Sequence, residues 1–171
     1  IYLVAMDQPT ADSSNYCDIQ PNDSPVCVEI DLFEGNTKAL QTTVHTESGE
    51  GCGSCNEWGC MVNFGYNDDD SVYGTSASSK IDSSRPYTVS ASFSESGSMT
   101  LVLAQDGKSH TAYSKTMAGT CGVAGVPDAS DAVVQTTMQQ GMVLVASLWT
   151  SDDSLHWLNG GALETRAERE S

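Results

Sequence analysis

Short apolar or alternating runs separated by stretches rich in Gly, Ser, Asn and Asp recur along this chain, a pattern typical of β-rich domains. The runs predict strands at residues 1–6, 28–34, 40–46, 87–93, 99–104, 110–113 and 142–148. Asp106-Gly107 is the signal of a tight hairpin turn between two of them. One helix is predicted over residues 130–140, with Ser130 or Asp128 as its cap and Gly141 at its end.

The chain has 171 residues, enough for one domain with a buried core. It shows no repeat and no linker, so we predict one β-rich domain over residues 1–160 and a frayed tail over 161–171. No stretch approaches the roughly 20 apolar residues of a membrane span. The chain starts without an initiator Met or a signal peptide, and we therefore expect a mature end or a fragment.

Charge excludes some partners. Seven Lys and Arg stand against 23 Asp and Glu, for a formal net charge of −16. Nucleic acid and anionic membrane surfaces would repel such a protein, so neither is an expected partner. Neutral polymers such as polysaccharides remain open.

Six cysteines lie in loop-like sequence, and the even number favours three disulfides and an oxidising compartment. The alternative is a metal site at the closely spaced Cys52, Cys55 and Cys60. No His follows at ligand distance and there is no second Cys-x-x-Cys, so zinc is disfavoured. We expect no metal and no organic cofactor.

The most informative stretch is the predicted strand at 28–34, which carries three carboxylates. Glu29 and Asp31 share a face because strand side chains alternate, whereas the odd separation from Glu29 would turn Glu34 away. A β-bulge near Leu32-Phe33 would return it to the same face. Gathered carboxylates raise one another's pKa, which suits a site needing one ionised and one protonated group. The alternative is an edge strand with solvated acids.

Several segments, in order, resemble the family 7 glycoside hydrolases, the fungal-type cellulases. The likeness reaches from the start of the chain to about Gly160. The segments are 3–7, similar to L-Y-x-V-x-M-D; 16–20, similar to Y-C-D-x-Q; 29–36, similar to E-M-D-I-W-E-A-N; 55–63, similar to C-D-P-D-G-C-D-x-N; and 141–149, similar to G-M-V-L-V-M-S-L-W.

The resemblance implies an all-β, concanavalin-like jelly-roll sandwich with one short helix. It implies a secreted, retaining endo-β-1,4-glucanase acting on cellulose or mixed-linkage β-glucan. Glu29 would be the nucleophile and Glu34 the general acid/base, with Asp31 beside Glu29. In retaining hydrolysis the two carboxyl groups stand about 5–5.5 Å apart and a covalent glycosyl-enzyme forms.

The resemblance also implies substrate-binding residues. Tyr2, Asp18 and Gln20 would line the cleft beside the nucleophile, and His45 would lie near Glu34 and the leaving group. Trp149 and Trp157 would stack on sugar rings. The plainer alternatives are an ordinary strand histidine and tryptophans of the core.

Comparison with the family's cysteine pattern implies a Cys17–Cys27 disulfide two residues from Glu29. The same comparison implies Cys60–Cys121, which leaves Cys52–Cys55 as the third pair.

The chain also departs from the family, whose catalytic domains are longer at both ends. Some flanking strands of the sandwich are therefore missing, so the chain is either a piece of a longer protein or a reduced sandwich that needs another chain at its edges. The long loops that cover the substrate tunnel of the family's cellobiohydrolases also look absent from this chain, which favours an open, endo-acting cleft. Two other functions stay open: a glucan-binding or wall protein without turnover, and a glucanase of the laminarinase–lichenase type.

Overall fold

The computed structural model of the chain describes residues 1–19, 25–46, 55, 59–65, 71–114, 130–150 and 155–158. These residues are mostly β-structure. The elements are β1 Tyr2–Val4, β2 Glu29–Gly35, β3 Leu40–His45, β4 Cys60–Phe64, β5 Tyr73–Gly74, β6 Ile81–Asp82, β7 Thr88–Phe93, β8 Met99–Gln105, β9 Lys108–Ser114, α1 Ser130–Gln140, β10 Val143–Val145 and a 3₁₀ turn at His156–Leu158.

The strands form two main sheets. One has the order β10-β1-β2-β3-β4 with antiparallel neighbours, and the other has the order β7-β8-β9, also antiparallel. The short β5 and β6 pair in parallel as a separate ribbon. Within the described residues no helix is both long enough and apolar enough to cross a membrane.

The hydrophobic core lies where the two sheets face each other. Alternate residues of β8 are buried, as expected for a strand with one face on the core. The core is lined by Ile30, Leu40, Val44, Val62 and Phe64 from the five-stranded sheet, by Met99, Leu101, Leu103, Ala112 and Tyr113 from the three-stranded sheet, and by Val134 from α1. The Tyr113 hydroxyl donates to the Cys60 carbonyl at 3.3 Å, which links the sheets at one end.

The predicted bulge in the acidic strand is confirmed. Asp31 pairs with Thr43 and Glu34 pairs with Gln41, so three steps along β2 match two steps along β3. The register shift lies between Asp31 and Glu34 and restores Glu34 to the face of the other two acids.

The predicted helix and hairpin are also confirmed. Helix α1 ends before Gly141, whose φ of 99° suits a glycine cap and whose N–H donates to the Thr137 carbonyl. Asp106 and Gly107 have φ values of 53° and 75°, the left-handed conformation that a two-residue hairpin turn needs, and they join β8 to β9.

Sequence reasoning was wrong about several strand limits. It missed β4, β5 and β6, because the region up to Cys60 reads as a Gly/Cys loop and two-residue strands leave no period to detect. It predicted one buried strand at 142–148, whereas β10 spans only Val143–Val145, with Leu144 63% exposed. Leu144 lies in one row with Leu3, Ile30 and Val44, yet β10 is the edge of the sheet and its inner face is largely uncovered.

The disulfide predictions are confirmed in one case and wrong in two. Cys17 is bonded to Cys27 as expected. Cys55, however, is bonded to Cys60, so neither Cys60–Cys121 nor Cys52–Cys55 exists here. Cys60 begins β4 and Cys55 accepts a hydrogen bond from the Thr46 amide just after β3, which brings their Cα atoms to 4.9 Å. Cys52 and Cys121 lie outside the described residues.

Candidate active site

Three carboxyl side chains share the face of the five-stranded sheet that points away from the core. The register places Glu29 opposite His45, Asp31 between Tyr2 and Thr43, and Glu34 opposite Gln41. Ile30, on the other face of β2, is fully buried in the core. The strand thus packs one face and presents its acids on the other, as the alternation and the bulge predict.

Glu29 is half-buried and is held by a backbone donor. The Ile19 N–H donates to Glu29 Oε2 at 3.1 Å. Burial and then the neighbouring Asp31 charge raise the pKa of Glu29 to about 7, while the Ile19 hydrogen bond and His45 act in the opposite direction. The Cys17–Cys27 disulfide and the Asp18–Val26 bridge fix the backbone that carries this donor.

Glu34 has the more strongly perturbed carboxyl. Burial first, and then the Asp31 charge, raise the pKa of Glu34 to about 8. His45 and the amino group of Ile1 partly offset this rise, and the Glu29 charge adds to it.

Asp31 is 5% exposed and is paired with His45, whose Nε2 lies 3.2 Å from Asp31 Oδ2. The family likeness places His45 near Glu34, and the structure sets it opposite Glu29 and against Asp31, close enough to Glu34 to lower the pKa of that carboxyl. Gly59, at a φ of 71°, packs on this histidine: a Cβ there would lie 2.7 Å from His45 Cε1 and would overlap Thr43. The imidazole is therefore enclosed from both sides.

Tyr2 and Asp18, both predicted to line the cleft, lie close to the acids. Tyr2 is directly opposite Asp31, and the Asp18 charge is near enough to raise the pKa of Glu29. Sequence reasoning missed Tyr16, whose hydroxyl lies 3.1 Å from that of Tyr2. Burial and the Tyr2 hydroxyl raise the pKa of Tyr16, so it is a neutral hydroxyl at the edge of the acid cluster. The predicted cleft residue Gln20 lies outside the described residues.

The two predicted aromatic platforms are brought together. The rings of Trp149 and Trp157 have centroids 6.0 Å apart at an interplanar angle of 39°. Trp149 is 42% exposed and Trp157 is half-buried, so neither is sealed in the core. The backbone carbonyl of Trp157 accepts a hydrogen bond from the side chain of Asn63, which lies on β4 at one edge of the five-stranded sheet.

Sequence reasoning also missed the polar row beside Glu34. Gln41 is directly opposite Glu34, and Asn63 is directly opposite Gln41, with Asn63 Nδ2 donating to Gln41 Oε1 at 2.9 Å. Thr43 is fully buried beside Asp31, and its hydroxyl has no hydrogen-bond partner among the described residues. The alternation of Gln41, Thr43 and His45 along β3 was the signal that could have identified this row.

The chain is similar in sequence to a fungal cellulase. It is 28% identical to Endoglucanase EG-1 of Hypocrea jecorina over an alignment of 148 residues that covers 79% of this chain and 30% of that protein. No family model matches the chain.

Solved cellulases share the fold. The Humicola insolens endocellulase Cel7B matches with a TM-score of 0.62 and 20% identity, covering 94% of this chain and 54% of that one. A family 7 cellobiohydrolase from Daphnia pulex matches with a TM-score of 0.58 and 18% identity, covering 82% and 51%. The chain therefore has the β-sandwich fold of family 7 cellulases, as predicted. It spans about half the length of these solved relatives and under a third of the curated one.

Proposed function

We propose that this chain carries the catalytic strand of a retaining β-1,4-glucanase, in which Glu29 is the nucleophile and Glu34 the general acid/base. The observation that carries the proposal is the bulged β2, which gathers Glu29, Asp31 and Glu34 on one open face of the sheet. Burial and the Asp31 charge raise the pKa of both the Glu29 and the Glu34 carboxyl. Raised pKa values near neutral pH suit a site that needs one ionised nucleophile and one protonated acid.

The reaction follows from these two carboxyls. Glu34 gives its proton to the glycosidic oxygen as the C1–O bond breaks, and Glu29 forms a bond to C1. Glu34, now ionised, then takes a proton from water, which attacks C1 and releases Glu29. Asp31, paired with His45, lies beside Glu29, and its Coulomb repulsion raises the pKa of the Glu29 carboxyl.

The substrate is a neutral β-glucan, cellulose or a mixed-linkage glucan. Two kinds of observation support this class: the paired Trp149 and Trp157 rings suit the C–H faces of pyranose rings, and the net charge of −16 disfavours polyanions. The similarity to an endoglucanase and an endocellulase favours internal cleavage in an open cleft. Secretion fits the Cys17–Cys27 and Cys55–Cys60 disulfides, which persist in oxidising compartments.

The test is the release of reducing sugar from carboxymethylcellulose and barley β-glucan. We expect the chain to release reducing ends and Glu29→Gln to release none, because an amide cannot form the glycosyl-enzyme. For Glu34→Gln we expect a loss of about 10²–10⁴-fold on these substrates, the usual contribution of a general acid. On an aryl glucoside with a good leaving group, Glu34→Gln should slow the formation of the glycosyl-enzyme less, because such a group departs without receiving a proton.

The variants also serve as controls for each other. Glu29→Gln and Glu34→Gln make the same chemical change on the same strand, so a shared folding defect would appear in both melting curves. Unchanged activity in folded Glu29→Gln would overturn its assignment as nucleophile. Product linkage separates a β-1,4-glucanase from an enzyme of the laminarinase–lichenase type.

A glucan-binding protein without turnover is the second candidate. The observation that favours it is the exposed edge at β10, where Leu144 is 63% exposed. Binding of β-glucan by folded wild-type protein without any release of reducing ends would select this function.

A further inference from the structure

The segment that carries Trp157 is tied down by two asparagine side chains. Asn36 Nδ2 donates to the Leu158 carbonyl at 2.7 Å, and Asn63 Nδ2 donates to the Trp157 carbonyl at 3.3 Å. Two consecutive backbone carbonyls of the 3₁₀ turn are therefore held by side chains from two different strands of the sheet or their ends.

Both asparagines are themselves fixed relative to Glu34. Asn36 lies two residues beyond Glu34, and its Oδ1 accepts from the amides of Lys38 and Ala39 at 2.7 and 3.1 Å. Its own carbonyl accepts the Tyr73 hydroxyl at 2.7 Å. The side chain is thus locked by the turn between β2 and β3, with its N–H₂ group aimed at Leu158.

Asn63 reaches the same segment from the other side. It lies in the cross-strand row Glu34–Gln41–Asn63, is 1% exposed, and donates to Gln41 Oε1. The Trp157 carbonyl can only accept, so it sets the orientation of the Asn63 amide. The Asn63 amide in turn sets that of Gln41. The Asn63 amide therefore donates in two directions, to the Trp157 backbone and to Gln41, which lies opposite Glu34 in the sheet.

We propose that Asn36 and Asn63 are positioning residues that hold the Trp157 platform at a fixed place relative to the Glu34 carboxyl. This rests on the proposed function, because it takes Trp157 as the surface on which a glucose unit stacks. A sugar bound on a loosely held indole would lose alignment with the acid, since a reacting geometry tolerates little displacement. The two amides thereby join substrate binding to the proton donor.

The test uses Asn36→Asp, which keeps an oxygen to accept from Lys38 and Ala39 but cannot donate to Leu158. Asn36 is exposed, so the new charge is solvated. We expect KM for cellohexaose to rise about fivefold, the effect of losing one hydrogen bond. We also expect kcat on a short aryl glucoside that does not reach Trp157 to stay unchanged. Asn63→Ser, which removes the other anchor without adding charge, should likewise raise KM for cellohexaose. Unchanged kcat on the short glucoside is expected only for the Asn36 variant, because Asn63 also donates to Gln41 opposite Glu34.

A second readout needs no substrate. Trp149 and Trp157 are close enough for exciton coupling in circular dichroism, and the chain has only one further tryptophan. Both asparagine variants should weaken the exciton couplet, the paired positive and negative bands of the two tryptophans in the circular dichroism spectrum, at temperatures well below unfolding. The matched control is Gln135→Glu on α1, which removes the hydrogen bond that the Gln135 side-chain amide donates to the Glu95 carbonyl and should leave the couplet unchanged.

The readouts distinguish the two proposals. An unchanged couplet and unchanged KM in both asparagine variants would overturn the positioning role. If the couplet is weakened in the asparagine variants while the wild-type protein neither binds nor cleaves cellohexaose, the anchors are kept and the glucanase function is rejected. Loss of kcat on both long and short substrates in equal measure in Asn36→Asp would mark this asparagine as a general support of the fold and would also overturn the proposal.

Discussion

The burial of the Glu34 carboxyl destabilises the folded protein when this group is ionised. Its pKa is raised to about 8 by burial and by Asp31, above the value near 4.5 of an unfolded chain. The folded state therefore binds more protons than the unfolded state between those values, and the free energy of unfolding falls as pH rises from about 4.5 to about 8. Below about pH 4.5 this cost is absent.

Replacing Glu34 with Gln removes that cost. We expect Glu34→Gln to be more stable than the wild type at pH 8 by on the order of 3 kcal/mol, allowing for residual solvent screening. At pH 4.5 the two proteins should have nearly equal free energies of unfolding. Urea unfolding at the two pH values measures this, and an equal difference at both would contradict the burial of the charge.

The same two carboxyls predict the pH dependence of activity. The reactive state needs Glu29 ionised and Glu34 protonated, so kcat/KM should be bell-shaped with limbs near pH 7 and pH 8. The maximum should lie between them because only there is the mixed state well populated. A profile that stays flat from pH 6 to pH 9 would contradict these assignments.

Gly59 offers a test of the enclosed His45. Gly59→Ala combines a left-handed backbone, at a φ of 71°, with a clash against His45 and Thr43. We expect a loss of at least about 2 kcal/mol in the free energy of unfolding. Gly107→Ala is the matched control, because its φ is 75° and a Cβ there meets nothing within 4 Å. The difference between the two variants isolates the clash, and equal losses would show that His45 moves aside freely.

At the scale of elements, the piece of chain before β2 supports the nucleophile. The Cys17–Cys27 disulfide spans a sequence separation of 10 and contributes ~2–3 kcal/mol by restricting the unfolded chain. It also holds the backbone that presents the Ile19 N–H to Glu29. Its loss should therefore affect both stability and chemistry.

The double variant Cys17→Ser with Cys27→Ser tests this. We expect the free energy of unfolding to fall by ~2–3 kcal/mol. The acidic limb of the kcat/KM profile should move to higher pH, because the Ile19 hydrogen bond lowers the pKa of Glu29. A stability loss with an unmoved acidic limb would show that the donor stays in place without the disulfide.

The alternation and the bulge of β2 were predictable because they depend on the sequence of one strand. The odd spacing between Glu29 and Glu34 required an extra residue for a shared face, and the structure has it. The bond between Cys55 and Cys60 was not predictable, because it depends on how the ends of β3 and β4 meet. The Trp157 anchors were likewise invisible, since they join residues more than 90 positions apart.

At the scale of the whole molecule, burial at the sheet edge is where sequence reasoning failed most clearly. The apolar run at 142–148 predicts a buried strand, yet Leu144 is 63% and Leu148 99% exposed. A local pattern tells which face of a strand is apolar, but the elements that cover that face are set by the rest of the fold. In the described residues the second sheet does not extend over β10.

This exposed edge predicts self-association that depends on salt. At low ionic strength the net charge of −16 keeps copies apart, and at about 0.15 M salt this repulsion is screened beyond about 8 Å. We expect light scattering to rise with salt for the wild type and to rise less for Leu148→Lys. Ser90→Lys, on exposed β7, adds the same charge without removing apolar surface and should behave like the wild type. Equal scattering by all three would contradict a role for the edge.

The hairpin at Asp106-Gly107 has a practical consequence. It joins β8 to β9 in the sheet that packs on the core side of β2, whereas the acids face the other way. A short ligation tag inserted between these two residues would let the protein be immobilised on a solid support with its acid face toward the solution. Insoluble glucan fibres could then be brought to an oriented layer of the protein, and their attachment followed at the surface in real time.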